Sequence, residues 1–326
     1  MLAVQPPTSE TVKKRLPSLV ELPVPEPGPG EVLLDIRATA LNRADLLQMR
    51  GLYPPPPGES TIPGLECAGV IESTGPRVRG WQVGDRAMAL LAGGGHAEKV
   101  AVPVGQLMPI PEGWSFTEAA ALPEVAITAW TNLVAEGDLV SGESVLVVAA
   151  ASGVGTFTVQ LAKQLGARVL AAGRSLERLE KLKQLGVDEC VELGADFSRR
   201  ARAANGGRGV DLILDLAGGE GLANRLKALR SGGRMILVGI LAGPATNIDL
   251  ADMLRRRLRL VGSVLRSRPR EEKARLIADF LAFASPRLAD GRLRPVIDRT
   301  YPFERMADAY GDMERGGVLG KLVLER

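Results

Sequence analysis

The sequence predicts an α/β chain, with a doubly wound parallel sheet covered by helices and, ahead of it, a mostly β region. Three observations predict it. From about Glu124 onward, apolar runs of roughly five residues recur without polar alternation, the pattern of strands buried on both faces. Segments of helical periodicity separate those runs, so strand and helix alternate. Ahead of them, short strand candidates are broken by proline and glycine turns.

In the first region Glu31 to Ala38, Gly69 to Glu72 and Arg86 to Leu90 are strand candidates. Pro54-Pro55-Pro56-Pro57 has no donor for a sheet ladder and must be a loop. In the second region the strands are Val145 to Ala149, Arg168 to Ala172, Leu212 to Asp215 and Met235 to Val238, with helices expected over 154–165, 176–185 and 221–230. Leu258 to Val264 would be the last strand of that sheet, and Glu271 to Ala284 has the spacing of one amphipathic helix. The tail, Val318 to Leu324, is a strand expected to return to the first region. The expected boundaries are 1–123, 124–266 and 267–326, and two domains imply a cleft.

Composition narrows the function classes. At 326 residues, with 45% hydrophobic and 24% charged, the chain fits a soluble globular protein of about two domains. The net charge of +3 is small, and the densest basic patch, Arg255-Arg256-Arg257 with Arg259, is best explained as a solvated helix end. With only 4% aromatic residues and no basic stripe, nucleic-acid binding is the weakest class. No apolar stretch reaches the ~18 residues of a membrane span. Met1-Leu2-Ala3-Val4-Gln5 lacks a secretion pattern, and Cys67 and Cys190 stand far apart, so the cytoplasm is the expected location.

The strand Val145 to Ala149 runs through Ala150-Ala151-Ser152-Gly153-Val154-Gly155 into a helix, the context of a dinucleotide phosphate turn. Ala150 and Ser152 replace the first two glycines, and only Gly155 is retained. Small residues still let backbone approach a pyrophosphate at a helix N-terminus. The next strand ends at Gly173-Arg174, 19 residues after Gly155, with Arg178 one turn on. A carboxylate there would bind the NAD ribose, whereas a guanidinium suits a 2′-phosphate, so NADPH is the expected cofactor.

Three ordered segments resemble the medium-chain dehydrogenases/reductases. They are Pro63-Gly64-Leu65-Glu66-Cys67-Ala68-Gly69-Val70 with Val83-Gly84-Asp85-Arg86, then Glu136-Gly137-Asp138-Leu139 through Gly155 to Gln160-Leu161-Ala162-Lys163, and then Leu265-Arg266-Ser267-Arg268. The second is similar to the quinone oxidoreductase/zeta-crystallin signature. Ala40-Leu41-Asn42-Arg43-Ala44-Asp45 and the last segment resemble the branch containing tumour-suppressor-inducible quinone oxidoreductases. The resemblance implies a Rossmann-type sheet with a GroES-like catalytic domain, and a homodimer paired through the strand at Leu258 to Val264.

It also implies site residues. Zinc enzymes of the superfamily carry a cysteine where Asn42 stands and a histidine where Leu65 stands, so no metal is expected here. His96, in Gly93-Gly94-Gly95-His96, would be a solvated loop histidine. Asn42 is placed near the nicotinamide. Tyr53 either covers and hydrogen-bonds the acceptor or is a loop aromatic packed on the prolines. Thr128, Gly239-Ile240-Leu241 and Leu265-Arg266-Ser267 are implied cofactor contacts, beside Ser152, Gly153, Val154, Gly155, Gly173, Arg174 and Arg178. Lys321 either reaches a phosphate or is a solvated strand-end lysine. The expected activity is metal-free transfer of hydride from NADPH to a quinone, with reduction of an enone as the alternative and a nucleic-acid-binding role as the least favoured.

Overall fold

The computed structural model describes residues 1–6 and 17–326. They form two compact units, Met1–Ile127 with Leu265–Arg326, and Thr128–Val264.

The Thr128–Val264 unit is a six-stranded, wholly parallel sheet. Its spatial order is Glu189–Glu192, Arg168–Gly173, Ser144–Val148, Val210–Asp215, Leu229–Leu237 and Arg259–Gly262. Chain order therefore reverses beside the first strand, Ser144–Val148, and a Rossmann-type sheet binds its ligand at such a switch point. Every residue of Ser144–Val148 is buried, as its unbroken apolar run requires. Leu146, Leu170, Ile213, Met235 and Phe197 form the core on one side of the sheet.

The helix expected over 221–230 spans only Leu222–Leu226, because Leu229 already pairs with Val210 in the sheet. The strand Glu189–Glu192 has glutamate at both ends and only four residues, too little for a periodic signal. Arg255 and Arg256 do lie in the last turn of a helix, Leu250–Arg256, both facing Asp252.

In the other unit, Ile297–Pro302, Lys321–Glu325, Glu31–Ala40, Glu66–Thr74, Arg86–Leu90 and Leu107–Pro109 lie in that order, and Lys99–Pro103 also pairs with Glu31–Ala40. All contacts are antiparallel except Ile297–Pro302 on Lys321–Glu325. The C-terminal strand thus sits against Glu31–Ala40, with Val323 opposite Ala40, and brings Lys321 to the end where that strand runs into Asn42. Val32, Leu34, Ile36, Cys67 and Ile71 form one core. Tyr310, Phe303, Met306, Leu46 and Leu322 form another, beneath the helix Arg43–Met49.

Candidate functional site

In the Thr128–Val264 unit the candidate residues gather at the carboxyl ends of the parallel strands. Strand Ser144–Val148 leaves through Ala149, held at φ +59, and enters the helix Gly153–Gln164. Ser152 caps that helix, its Oγ accepting from Gly155 N at 3.1 Å. The Gly153 and Val154 N–H groups have no partner among the described residues and are partly accessible, an arrangement suited to an anion. A Cβ on Gly155 would meet Ala150 O at 2.6 Å and Ala149 O at 2.7 Å, so the one retained glycine is fixed by packing. Ser152 replaces a glycine and supplies the cap in exchange.

Gly173 ends the adjacent strand, and Arg174 follows it, exposed, with no ion pair or hydrogen bond among the described residues. Arg178 lies half-buried one turn further on. Ile240 and Leu241, each 51% exposed, follow the carboxyl end of Leu229–Leu237 together with Gly239. Thr128 is buried; its carbonyl accepts from Asn132 Nδ2 at 2.7 Å, beside a π-helical turn over Thr131–Ala135.

In the other unit the structure brings Asn42, Glu66 and Lys321 into contact. Asn42 N donates to Asp45 Oδ2 at 2.7 Å, which starts the helix Arg43–Met49, and Asp45 Oδ1 accepts from Gly64 N at 3.1 Å. The Asn42 amide donates through Nδ2 to Glu66 Oε1 at 2.9 Å and accepts through Oδ1 from Lys321 at 2.7 Å. Lys321 Nζ also reaches Leu41 O and Glu66 Oε1, each at 2.6 Å. Glu66 Oε2 accepts from Glu124 N at 2.8 Å. Glu66 is 0% and Lys321 3% exposed, so this is a buried ion pair with every lysine donor engaged.

That geometry corrects the expectation for Lys321, which is neither solvated nor free to reach a phosphate. The strand Lys321–Glu325 carries it inward beside Glu66. Arg266 needs a similar correction. It is buried, with Nε on Ala92 O at 2.7 Å, Nη1 on Tyr53 O at 3.0 Å and Nη2 on Gln48 Oε1 at 2.6 Å. Its guanidinium therefore anchors the Tyr53 loop and lies 5.1 Å from that ring. Of its neighbours, Leu265 is buried and Ser267 is exposed, which leaves Ser267 as the accessible part of that turn.

His96 is the third correction. Its glycine loop is pinned rather than flexible: Gly64, at φ +104, packs so closely that a Cβ there would meet His96 N at 2.3 Å. His96 is fully buried, with Nδ1 2.8 Å from Tyr310 Oη, and burial lowers its pKa.

Tyr53 is half-buried on its loop, and its hydroxyl has no hydrogen-bond partner among the described residues. Burial, then the Glu124 charge, push that hydroxyl up, so at neutral pH it is a donor. Glu124 begins the helix Pro123–Trp130; burial and then the Glu66 charge push its carboxyl up to about 8. The folded state thus keeps a proton that the unfolded chain releases near 4.5. Stability from this source is full below that value and is lost as pH rises through about 8. Glu124→Gln should gain stability relative to wild type over that window, which urea melts at about pH 5 and about pH 9 would measure. A difference that does not change with pH would contradict the assignment.

Glu66 and Glu124 had a signal in the sequence. Each is a lone carboxylate inside an apolar run, Gly64-Leu65-Glu66-Cys67-Ala68 and Ala121-Leu122-Pro123-Glu124-Val125-Ala126, where an acid needs a specific partner.

Comparison with known proteins places these units in context. Residues 28–112 match the family described as the alcohol dehydrogenase GroES-like domain, and residues 153–282 the family described as zinc-binding dehydrogenase. The chain is 32% identical over 315 residues to the quinone oxidoreductase of Mus musculus, covering 95% of this chain and 93% of the relative. It is 36% identical, with TM-score 0.84 over the full length of both chains, to the quinone oxidoreductase of Thermus thermophilus, solved also in complex with NADPH. A structure of an NAD-dependent alcohol dehydrogenase is 31% identical, with TM-score 0.86 and full coverage of both chains.

Proposed function

Since the chain belongs to the quinone oxidoreductase family of medium-chain dehydrogenases/reductases, we propose that it is an NADPH-dependent quinone oxidoreductase that works without a metal. The observation that carries the cofactor assignment is Arg174, an exposed guanidinium without an ion pair among the described residues, at the end of the second parallel strand. Likeness alone does not choose, since one solved neighbour is named NAD-dependent and another was solved with NADPH.

The residues present fit a dinucleotide. Gly153 and Val154 would give their unpartnered N–H groups to the pyrophosphate, with Gly155 and Gly173 keeping the approach narrow. Arg174, with Arg178, would take the 2′-phosphate. When bound, the nicotinamide supplies a hydride. Asn42 would present a rigid amide edge, because both its ends are already fixed by Glu66 and Lys321. Tyr53, held at its backbone by Arg266, would cover the acceptor and offer its hydroxyl. A quinone delocalises the incoming charge over its ring, so positioning is the main demand on the protein. The protonated Tyr53 hydroxyl also suits an enolate, and enone reduction is the second reading.

Zinc does not fit these residues. Asn42 Oδ1 and Glu66 Oε1 both point at the Lys321 ammonium, which supplies the positive charge at this place. Among the described residues no group of three or more His, Cys, Asp or Glu is placed to hold a metal ion. Turnover is therefore expected to survive strong chelation, with no stoichiometric zinc in elemental analysis. About one tightly bound zinc per chain, with loss of activity on its removal, would overturn the metal-free reading.

The expected partner is a second copy of the chain. Among the described residues Arg259–Gly262 pairs on one side only, at the edge of the sheet. Val264 is 47% exposed, and on the helix Leu250–Arg256 Leu250 and Leu254 are 69% and 79% exposed. A dimer by light scattering at micromolar concentration is expected, and Leu254→Glu should weaken it. A wild-type monomer would contradict this assembly. No described helix is long and apolar enough to cross a membrane.

A further inference from the structure

Reduction of a quinone to a hydroquinone takes one hydride and one proton, and the proton needs a donor. Resting on the proposed reading, we propose that Glu124 is the general acid that protonates the reduced acceptor. Tyr53 has a hydroxyl that is free among the described residues, but burial raises it further above the ordinary phenol value and makes it the weaker acid, and the other candidates in this unit are already committed. His96 is fully buried on Tyr310, and the three donors of Lys321 are held by Leu41, Asn42 and Glu66. Glu66 accepts three hydrogen bonds on its two oxygens, one of them from the buried Lys321 ammonium, so both oxygens are already engaged as acceptors.

Glu124 differs from Glu66 in each of these respects. Its backbone N–H donates to Glu66 Oε2, which sets the start of its helix against the Glu66 carboxyl. Its own carboxyl has no hydrogen bond or salt bridge among the described residues and is partly exposed. Of the two, the carboxyl without donors is the one placed to carry a proton, the division of labour seen in paired-carboxylate sites whose environments differ.

The groups around Glu124 complete the arrangement. Glu66 and Asp45 oppose its ionisation, while Lys321 and Lys273 favour it. Tyr53 and Arg266 lie within its electrostatic reach as well, so its carboxyl shares the neighbourhood of the tyrosine assigned to the acceptor and of the guanidinium that anchors it. The start of a helix favours an anion by less than about one pKa unit. That is too little to strip the proton, given that burial and Glu66 raise this carboxyl to about 8.

The step balances. The hydride pair enters the acceptor, the resulting oxyanion takes the Glu124 proton, and an acceptor O–H bond forms. The Glu124 O–H bond breaks, leaving its electron pair on the carboxylate. Lys273 and Arg266 stabilise that carboxylate until water returns a proton from the exposed side. NADPH is oxidised and the acceptor is reduced.

The test uses the full chain as wild type, Glu124→Gln and Glu124→Asp. Wild-type kcat should fall as pH rises through about 8, and NADPH affinity should stay nearly unchanged in both variants. Glu124→Gln should lose about a hundredfold or more in kcat and its pH limb, which Glu124→Asp should partly restore. Without cofactor, infrared spectra of the wild type should contain a protonated-carboxyl band that disappears through the same pH range and is missing in Glu124→Gln. Wild-type kcat with an unchanged pH limb in Glu124→Gln, or no such band in wild type, would overturn the acid role while leaving the quinone reading standing. Absence of NADPH turnover in wild type would overturn both.

Discussion

Lys321→Met is expected to destabilise the chain by about 3–5 kcal/mol, because it removes one partner of a fully buried pair and leaves the Glu66 charge uncompensated. Methionine keeps much of the stem volume, so the loss reports charge rather than packing. Leu41 O and Asn42 Oδ1 lose the ammonium donor at once, and Glu66 Oε1 is left with the neutral Asn42 amide alone. Adding Glu66→Gln should recover a substantial part, since the amide still accepts from Glu124 N and no buried charge remains. A double-mutant cycle by urea melts measures the coupling. Additive costs, or a loss below about 1 kcal/mol for Lys321→Met, would mean that the pair is not the unit described.

Arg174→Ala should weaken NADPH binding about ten- to a hundredfold while leaving NADH almost unchanged. One charge-assisted bond to the 2′-phosphate is worth about 1.5–3 kcal/mol. Arg178→Ala should cost less. Arg174→Asp should go further, since it repels the phosphate while offering the NAD ribose an acceptor, so that preference inverts. The titrations are compared at one ionic strength, because screening weakens exposed charge contacts. Equal weakening of both cofactors would make Arg174 a structural residue.

The strands of the parallel sheet were legible because burial on both faces demands unbroken apolar runs, as at Ser144–Val148. The turn from strand into helix was legible from its setting rather than its glycines; Ser152 as cap and Gly155 as the close contact follow from that setting. The place of Arg174 at the end of the second parallel strand was legible by its spacing from that turn. The ion-pair network was not. Lys321 and Glu66 lie 255 residues apart in the sequence, and only the pairing of the last strand with Glu31–Ala40 joins them. The same reason hid His96, whose surroundings are set by Gly64 and Tyr310 from distant segments. Arg266 looked like a cofactor contact because sequence shows a guanidinium but not the carbonyls that hold it.

The central claim is tested most directly by steady-state oxidation of NADPH and NADH by the metal-free wild-type chain, with quinones, enones and aldehydes offered in parallel. The account predicts turnover with quinones, a kcat/KM for NADPH at least about tenfold above that for NADH, and little reduction of aldehydes. Turnover confined to enones would move the activity to the second reading. A preference for NADH, or no transfer to either acceptor class, would contradict the account.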